Sequence, residues 1–283
     1  MSMLKIKPQV LNEYDASKHR GVLEFLSRNF REFIHFRHAI INFASTRLSS
    51  RYRRSTLGFF WSLLNPLFTM IIVSVVFSSL YKLPFSQFGL YIFSGLLPWN
   101  LITASVMGGA MSLVENEAYM KKMYIPKLLF PFVSLSVELI NFFLSLISLF
   151  FLALLLRVGF GWSMLLLPVA LLLLFLFLFG LIMLISIVTV FFRDASHILQ
   201  IGLLGLFYLT PILYPISLLS GRVLDIIKLN PFYYFIELFH LIIYEMVAPT
   251  WADWLPCIVL TVFSLVIGVF AFQWKEDEVI YRL

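Results

Sequence analysis

The chain has 283 residues, of which 61% are hydrophobic and 13% charged, and its mean hydropathy is +0.94. Soluble domains carry about a quarter charged residues, so this composition excludes a soluble globular protein and indicates repeated membrane spans. The net charge of +6 does not indicate nucleic-acid binding, because the Lys and Arg residues lie between apolar runs, where anionic lipid headgroups are their expected partners.

The first 56 residues are polar or amphipathic. We therefore expect a cytoplasmic N-terminal region over 1–56 and a transmembrane domain over 57–283. The N-terminal region lacks a short apolar core with a cleavage site, so the first span is expected to act as the membrane address. Residues 22–46 predict an amphipathic helix that lies in the interface or packs on a soluble partner. Its apolar positions are Leu26, Phe30, Phe33, Ile40 and Phe43.

Four arginines directly precede the first apolar run: Arg47, Arg51, Arg53 and Arg54. Positive charge next to a span resists translocation, so the cluster is expected to fix the orientation of that span. Contact with a phosphate-bearing substrate is a second use that the sequence leaves open.

Six apolar segments are long enough to cross about 30 Å of hydrocarbon. They cover residues 58–80, 89–111, 128–156, 163–192, 199–219 and 254–273. If the N-terminus is cytoplasmic, 17 of the 21 Lys and Arg residues fall on the cytoplasmic side. The positive-inside rule therefore predicts that both termini are cytoplasmic. Pro211 and Pro215 predict an interruption of the fifth span.

The segment between the fifth and sixth spans, residues 220–253, is unusually apolar and aromatic for a loop. It is bounded by Pro231 and Pro249 and is short of a full charge-free span. We expect one or two re-entrant or interfacial helices here that close the outer mouth of a path. A seventh short span is the competing interpretation, but it would place the C-terminus outside and break the charge rule.

The sequence holds no phosphate-binding loop and no hydrolase or zinc-protease motif. The single Cys257 excludes an intrachain disulfide, and His35 and His38 have no third ligand nearby, so no metal site is predicted. Glu138 is the one acidic residue deep in a predicted span. It is either functional or a hydrogen-bonding partner of Asn141, Ser134 or Ser136.

Two loops are predicted on the cytoplasmic side. Residues 112–126 predict a short amphipathic helix that could dock on a soluble partner. The loop 191–198 is so short that Arg193 and Asp194 must lie at the membrane surface, where they could simply pair with each other. Aromatic residues make up 17% of the chain; most are expected to face lipid or pack helices, and some could stack on sugars along a path.

Several segments together resemble the membrane-spanning subunits of ABC-2 type exporters, and among them the Wzm-like permeases for lipid-linked O-antigen polysaccharide. They are "RYRRSTLGFFWSLLNPL", "ENEAYMKKMYIPK", "FFRDASHIL", "LTPILYP", "LNPFYY" and "FQWKEDEVIYRL". Each segment alone is a weak signal. The resemblance is specific because the segments follow one another in this order along nearly the whole chain.

The resemblance implies a homodimer in the inner membrane, joined to two copies of a separate ATPase chain that holds ATP and Mg. No cofactor is expected in this chain, and the cargo would be a lipid-linked glycan. The resemblance also implies site residues. The candidate conduit residues are Phe60, Trp61, Phe68, Phe207, Tyr208 and Tyr214, with Glu138. The candidate coupling residues are Glu115, Asn116, Glu117, Tyr119, Lys121, Lys122, Arg193 and Asp194. The candidate outer gate lies in residues 222–247, with Pro231, Tyr233, Tyr234, Glu237 and His240.

In the mechanism that this resemblance implies, the four arginines attract the lipid diphosphate. The ATPase then pushes the coupling helices, and the glycan moves outward past aromatic rings. Two rivals stay open from the sequence. One is an ABC-2 permease for teichoic acid, capsular polysaccharide or a drug. The other is a stand-alone proton-coupled carrier or membrane enzyme.

Overall fold

A computed structural model describes residues 22–51, 55–82, 84–155, 159, 161–216 and 221–283. All regular structure in these ranges is helical, as predicted. The α-helices are α1 (Val22–His35), α2 (Arg37–Arg51), α3 (Trp61–Tyr81), α4 (Phe85–Ala110), α5 (Glu117–Lys122), α6 (Leu129–Leu155), α7 (Leu167–Phe191), α8 (Ala195–Leu209), α9 (Arg222–Lys228), α10 (Pro231–Phe239), α11 (Trp251–Lys275) and α12 (Val279–Arg282). Short 3₁₀ helices at Gly58–Phe60 and Trp162–Leu166 precede α3 and α7, and a π-helical turn, His240–Glu245, follows α10.

Five helices are long and apolar enough to cross a membrane: α3, α4, α6, α7 and α11. They lie within a few residues of the first, second, third, fourth and sixth predicted spans, so those predictions are confirmed. The chain is a polytopic membrane protein. Length and hydropathy are properties of each segment alone, which is why they could be predicted without knowledge of the packing.

The fifth predicted span differs from the structure in its bounds. It was expected over 199–219, whereas α8 begins at Ala195 and has only 15 residues, which gives it a length of about 22 Å. The helix ends because Thr210 precedes Pro211 and adopts an extended conformation, which is what the proline ring imposes on its neighbour. The predicted interruption at the prolines is therefore confirmed, but the helix is too short to cross the membrane by itself.

The bundle is held together most extensively by α7 and α11. The two backbones meet at Gly180 and Gly268, where a Cβ on Gly268 would lie 2.2 Å from the carbonyl oxygen of Gly180. Next to this contact, the Ser264 hydroxyl donates to the carbonyl oxygen of Phe177 at 2.8 Å. Small residues that allow close backbone approach, together with a hydroxyl bond across helices, are typical of helix packing in lipid.

The long helices differ in how much of their surface is covered. The most apolar window of α4 is 72% buried, and α4 contacts α3, α6, α7 and α8. The corresponding window of α3 is only 11% buried. α4 is therefore the central helix of the bundle, and α3 lies at its edge with most of its apolar surface uncovered.

The segment between α8 and α11 is sharply bent. α9 and the combined helix of α10 and the π turn meet at an angle of 90°. Asn230 caps α10 by accepting a hydrogen bond from the Phe232 backbone nitrogen, and Pro231 occupies the first turn. This sharp bend agrees with the predicted re-entrant helices and disfavours a straight seventh span. We call residues 221–245 the hairpin, and the end of the bundle that carries it the hairpin end.

The predicted amphipathic helix over 22–46 is two helices, α1 and α2. Phe25 is buried, and Phe33, Ile40 and Phe43 are partly buried against the bundle, whereas Phe30 is 68% exposed. The side chain of Leu26 and residues 1–21 lie outside the described part of the chain. α1 also meets the far end of α11, since the Arg28 guanidinium lies 2.6 Å from the Glu276 carboxylate. We call this end of the bundle, with α1, α2, α5 and the end of α11, the basic end.

Candidate functional site

Three adjoining cavities run from the basic end into the bundle, and we call them together the polar groove. The outer cavity has a volume of about 230 Å³, the middle one about 500 Å³ and the inner one about 380 Å³. Arg47, Ser50 and Glu115 line both the outer and the middle cavity, and Arg51, Ala104 and Glu138 line both the middle and the inner one. The groove is thus one continuous depression lined by α2, α3, α4 and α6.

The inner cavity is lined by amide and hydroxyl groups from three membrane-spanning helices. α3 supplies Ser62, Asn65 and Thr69, α4 supplies Asn100, and α6 supplies Asn141 and Ser145. Positions 62, 65 and 69 are spaced three and four apart, as are 138, 141 and 145, so each set lies on one helix face. Polar residues on one face of an apolar helix indicate a polar path or site rather than lipid contact.

Glu138 and Arg51 form an ion pair where the middle and inner cavities join. The Arg51 Nη1 atom lies 3.3 Å from Oε1 and 3.2 Å from Oε2 of Glu138. The Asn141 amide donates to Oε2 at 2.9 Å. The Glu138 side chain is only 11% exposed, whereas that of Arg51 is 47% exposed. Glu138 was expected to be either a functional residue or a hydrogen-bonding partner of a neighbour. It accepts a hydrogen bond from Asn141, and it also lines the candidate site.

Arg47 forms a second ion pair one helical turn earlier on α2. Its Nη2 atom lies 3.4 Å from the Glu115 carboxylate, and both side chains are partly exposed. Gly108 of α4 leaves room for this guanidinium, since a Cβ there would lie 3.3 Å from Nη2. Two of the four predicted loading arginines thus line the groove. Arg53 and Arg54 lie outside the described residues.

The predicted coupling segment forms the outer rim of the groove. Asn116 and Tyr119 line the outer cavity with Glu115, and the Tyr119 ring packs edge-on against Phe43 of α2 at 5.1 Å. Glu117 and Lys121 pair within α5 at 2.6 Å. Lys121 and Lys122 are exposed, as a docking surface would require. α5 is shorter than the helix predicted within 112–126, because turns precede it and an extended, irregular segment follows Lys122.

Arg193 and Asp194 lie in the turn between α7 and α8 and are both exposed. This turn is at the basic end, because the Lys275 ammonium lies 5.5 Å from the ring centre of neighbouring Phe191. The structure therefore places the second predicted coupling loop at the same end as the first.

The candidate conduit aromatics are dispersed. Trp61 lines the inner cavity together with Glu138. Phe60, Phe68 and Tyr208 are exposed, with exposed fractions of 50% or more. Phe207 packs against Trp99 at 5.7 Å, and the Tyr214 hydroxyl donates to the carbonyl oxygen of Tyr208. In the described chain, Trp61 is the one aromatic candidate that meets Glu138 in the groove, and contact of the others with a sugar chain stays a prediction.

The candidate gate residues lie in the hairpin; two of the five are buried and three are partly exposed. Tyr233 is 8% exposed and His240 is 3% exposed. Glu237 is half-buried, Pro231 begins α10, and the Tyr234 hydroxyl donates to the carbonyl oxygen of Lys228 at 2.9 Å. The second half of the hairpin, α10 and the π turn, is therefore packed into the bundle, whereas most of α9 is exposed.

His240 forms the centre of a buried polar cluster at the hairpin end, which we call the His240 cluster. Its ring stacks on Tyr91 of α4 at 4.4 Å and with an interplanar angle of 5°. Its Nδ1 lies 2.8 Å from the Ser94 hydroxyl, and its Nε2 donates to the carbonyl oxygen of Pro211 at 3.1 Å. The Tyr91 hydroxyl lies 2.7 Å from the carbonyl oxygens of Pro211 and Tyr214. This cluster joins the hairpin, α4 and the broken end of α8.

A second polar cluster ties α1 to the rest of the basic end. Arg28 pairs with Glu276, the Lys127 ammonium donates to the Glu276 carbonyl oxygen, and the Tyr124 hydroxyl donates to Glu32 at 3.2 Å. Burial lowers the pKa of Lys127, although the nearby Glu276 carboxylate opposes this shift. Burial also raises the pKa of Glu32 from its ordinary 4.5, and Arg28 opposes it. This cluster connects α1 with the segment after α5.

Sequence reasoning did not single out Asn65, Thr69 or Asn100 of the groove, or Arg28 and Glu276 of the basic end. The signal for the first group was present, since Asn65 and Thr69 are four apart in an otherwise apolar span. Arg28 and Glu276 are separated by 248 residues, and no local pattern joins them.

The described residues form an all-helical bundle with five helices long and apolar enough to cross a membrane and a polar groove among them, which is the architecture of a polytopic membrane protein with an internal polar site. Residues 40–244 match the family described as ABC-2 type transporter, and the chain belongs to that family. It is 32% identical over 247 residues to the O-antigen export system permease protein RfbA of Myxococcus xanthus, covering 85% of this chain and 92% of that protein. It is 27% identical over 188 residues to the protein of the same name in Klebsiella pneumoniae, covering 65% and 71%.

Proposed function

We propose that this chain is the permease subunit of an ABC exporter that moves a lipid-linked polysaccharide of O-antigen type across the inner membrane. Membership of the ABC-2 type transporter family supports the transport role, and two relatives named as O-antigen export permeases support the cargo class. ATP and Mg are held by a separate ATPase subunit, because the chain carries no phosphate-binding loop.

The observation that carries the proposal is the polar groove. Asparagine, threonine and serine side chains of α3, α4 and α6 line an open cavity inside the bundle, where a polar ligand can reach them. Amide and hydroxyl groups pair with sugar hydroxyls, and guanidinium groups pair with phosphate oxygens. A lipid-linked glycan with a diphosphate at its junction presents both chemistries in the order in which the groove offers them.

The groove also connects the cargo with the coupling segment. Glu115 pairs with Arg47, and Tyr119 packs on α2, so a force on α5 reaches the helix that carries both arginines. The Arg193–Asp194 turn presents a second contact at the same end. An ATPase docked on these two surfaces would move α2 relative to α6.

Orientation and assembly follow from the two ends of the bundle. The basic end holds α1, the coupling segment and the C-terminal helix α12, which supports both termini lying on the cytoplasmic side. The polar groove is lined in part by α3, the least covered of the long helices, which supports a homodimer in which the cargo passes between two copies.

In the proposed cycle, the lipid diphosphate enters at the cytoplasmic leaflet and meets Arg47 and Arg51. Nucleotide-driven closure of the ATPase displaces α5 and opens the inner cavity towards the second copy. The first sugars then bond to the asparagines, and the hairpin moves to release them outward. The loading step and the first contacts with sugars use groups that already line one continuous depression.

Complementation tests the proposal. A bacterium whose own O-antigen permease has been deleted should regain surface glycan when it expresses this chain with its ABC ATPase. An ATPase whose phosphate-binding lysine is replaced should leave the glycan inside the cell. Absence of surface glycan, with both proteins inserted and assembled, would contradict the proposed cargo.

Coupling is tested with matched surface variants. Tyr119→Ala with Lys122→Ala should reduce recovery of the ATPase with the permease by at least about fivefold, because these side chains lie on the exposed coupling surface. Arg222→Ala with Lys228→Ala at the hairpin end provides the control and should leave ATPase recovery unchanged. Equal effects of both pairs would place the ATPase contact elsewhere.

A further inference from the structure

The coupling segment, residues 112–126, runs beside α1 and α2 in the opposite direction. As the residue number rises along the coupling segment, each contact falls on an earlier residue of α2 and then of α1. The contacts are Glu115 with Arg47 at 3.4 Å, Tyr119 with Phe43 and Tyr124 with Phe36 at 5.1 and 6.4 Å between ring centres, and the Tyr124 hydroxyl with Glu32 at 3.2 Å. The two segments are therefore joined along most of their length.

α1 and α2 are joined to each other through backbone hydrogen bonds. The Phe36 nitrogen donates to the carbonyl oxygen of Glu32 at 2.8 Å, and the Ile40 nitrogen donates to that of Phe36 at 3.0 Å. Both bonds have the spacing of an α-helix, so the second helix continues the first. We call α1 and α2 together the α1–α2 arm. One end of this arm carries Arg47 and Arg51 in the polar groove.

The other end of the arm is held by Glu276, the first residue after α11. The Glu276 carboxylate lies 2.6 Å from Nη2 of Arg28, and its backbone carbonyl oxygen accepts a hydrogen bond from the Lys127 ammonium. Arg28 belongs to α1, and Lys127 directly follows the coupling segment. One residue therefore holds both the α1–α2 arm and the coupling segment against the end of α11.

The attachment at Glu276 is firmer than the contact at the groove. α11 is a rigid support, because it makes the most extensive helix contact of the bundle with α7. The Glu276 side chain is 19% exposed, whereas that of Glu115, which pairs with Arg47 at the groove, is 52% exposed. Water competes less for the more covered pair. The Arg28 pair should therefore persist while the pair at the groove exchanges partners.

We propose that Glu276 is a positioning residue for transport. It fixes one end of the α1–α2 arm to α11, so that displacement of α5 by the ATPase moves the other end, with Arg47 and Arg51, relative to α6. About 28 Å of helix separates Arg28 from Arg47, so a small rotation about the fixed end gives a large displacement in the groove. This inference rests on the proposed function and adds to it the point about which the arm turns.

Two variants cut the link from opposite sides without leaving a charge alone. In Glu276→Ala, Arg28 keeps Glu32 at 3.9 Å, and Lys127 keeps its bond to the backbone carbonyl oxygen. In Arg28→Ala, the Glu276 carboxylate keeps the nearby Lys127 ammonium. Both variants should therefore fold, and their unfolding temperatures check this.

Glu278→Ala is the matched control. It removes a carboxylate two residues further along the chain, which pairs with Lys275 at 2.7 Å and is 51% exposed. This pair lies within the end of α11 and the turn that follows, so its loss does not release the α1–α2 arm.

Movement of the arm is measured in the complete permease–ATPase complex in nanodiscs. Spin labels are placed on Ser45 of α2 and Val266 of α11, which are both exposed, after Cys257→Ala has removed the native thiol. Labelled permease is diluted with unlabelled permease, so that one labelled copy is observed in each complex. Trapping of the ATPase with ATP and vanadate should change the distance between the labels. The change should be lost in Glu276→Ala and Arg28→Ala and retained in Glu278→Ala.

The ATP consumed for each exported glycan gives a second measurement, in proteoliposomes. Both link variants should still hydrolyse ATP but should consume at least about fivefold more of it per glycan, the lower end of typical coupling between two sites. Glu278→Ala should consume as much as the wild type. A purely structural role of Glu276 would instead lower hydrolysis and export together, in step with the unfolding temperature.

Three results would overturn the inference: no distance change on trapping in the wild type, a retained change in either link variant, or an equal loss in Glu278→Ala. The distance measurement needs no cargo, which separates the inference from the proposed function. If the change depends on the link and the wild type exports no lipid-linked glycan, the proposed function fails and the positioning role stands. If both link variants export glycan at the normal consumption of ATP, the positioning role fails and the proposed function stands.

Discussion

The two ends of the bundle are built on different principles. The basic end has three adjoining cavities and ion pairs in which at least one member is partly exposed, such as Arg47 with Glu115 and Arg51 with Glu138. The hairpin end is closed by a buried histidine, a stacked tyrosine and backbone carbonyls that are already hydrogen-bonded. Polar groups at the basic end face open cavities, whereas polar groups at the hairpin end are packed against one another.

This difference suggests a division of labour. Ion pairs at the edge of a cavity can exchange partners, because water or a ligand replaces what is lost. A buried cluster cannot open without breaking several bonds at once, so it holds one state until a large force acts on it. Loading therefore suits the basic end, and closure against leakage suits the hairpin end.

Replacement of His240 should give the largest loss of stability. His240→Ala removes the stack on Tyr91, leaves Ser94 without its ring partner and creates a buried cavity, for a cost of about 3 kcal/mol. Arg47→Ala at the basic end should cost less than about 1 kcal/mol, because its ion pair is exposed. The free energies of unfolding of both variants, measured in nanodiscs, test this difference between the two ends. Equal losses of stability in the two variants would contradict it.

Removal of one hydroxyl from the His240 cluster should have the next largest effect. Tyr91→Phe removes a donor from the carbonyl oxygen of Tyr214 and leaves that of Pro211 with its bond from the His240 Nε2, so we expect a cost of about 1.5 kcal/mol. Tyr124→Phe removes a partly exposed hydroxyl at the basic end, whose bond to Glu32 is 3.2 Å long, and should cost no more than about 0.5 kcal/mol. A larger loss in Tyr124→Phe would reverse the expected order.

Two glycines of α4 allow the same substitution at both ends. In Gly95→Ala the new methyl would lie 3.0 Å from the His240 ring and 3.2 Å from Ile212, in a cluster that has little room to move, so we expect a loss of about 1 kcal/mol. In Gly108→Ala it would meet the Ser134 hydroxyl and the far end of Arg47, both of which can move. That variant should be neutral, or more stable by up to about 1 kcal/mol, because alanine favours the helix. Thermal unfolding of the pair is the measurement, and a neutral Gly95→Ala would show that the hairpin end is looser than described.

The basic end should also respond to pH, with the smallest effect of the four. Burial raises the pKa of Glu32 above 4.5 in the folded chain, so the folded state binds its proton more tightly than the unfolded state does. The stabilisation is complete below pH 4.5 and declines as the pH rises through the raised pKa. The difference in unfolding temperature between Glu32→Gln and the wild type should therefore change across this range. If the difference in unfolding temperature between the two proteins does not change with pH, Glu32 does not contribute to the pH dependence of stability.

Much of the architecture was predictable because it depends on local sequence. Span lengths, the break before Pro211 and the bend before Pro231 each follow from a few adjacent residues. The true end of α8 at Leu209 was missed because the apolar run continues after the helix stops, and hydropathy does not distinguish helix from turn. The two helices α1 and α2 were likewise predicted as one.

The charged residues of the candidate site could be predicted one by one, but their assembly and most of the uncharged polar residues beside them could not. Arg51 and Glu138 were each singled out by charge next to or within an apolar run, yet they lie 87 positions apart. Their pairing depends on how α2 packs on α6, and no spacing rule gives that. The asparagines of the inner cavity come from three helices, so their convergence appears only in the folded chain.

Transport in a defined system tests the central claim most directly. Inverted proteoliposomes that contain this chain and its ATPase would be supplied with ATP, Mg and a fluorescent glycan on a polyprenyl diphosphate, and protection of the glycan from an external glycosidase would be measured. We predict ATP-dependent protection that requires both proteins and is lost when Arg51 and Glu138 are both replaced by Gln. Protection without the ATPase, or unimpaired protection in that double variant, would contradict a groove-loaded permease driven by a second subunit.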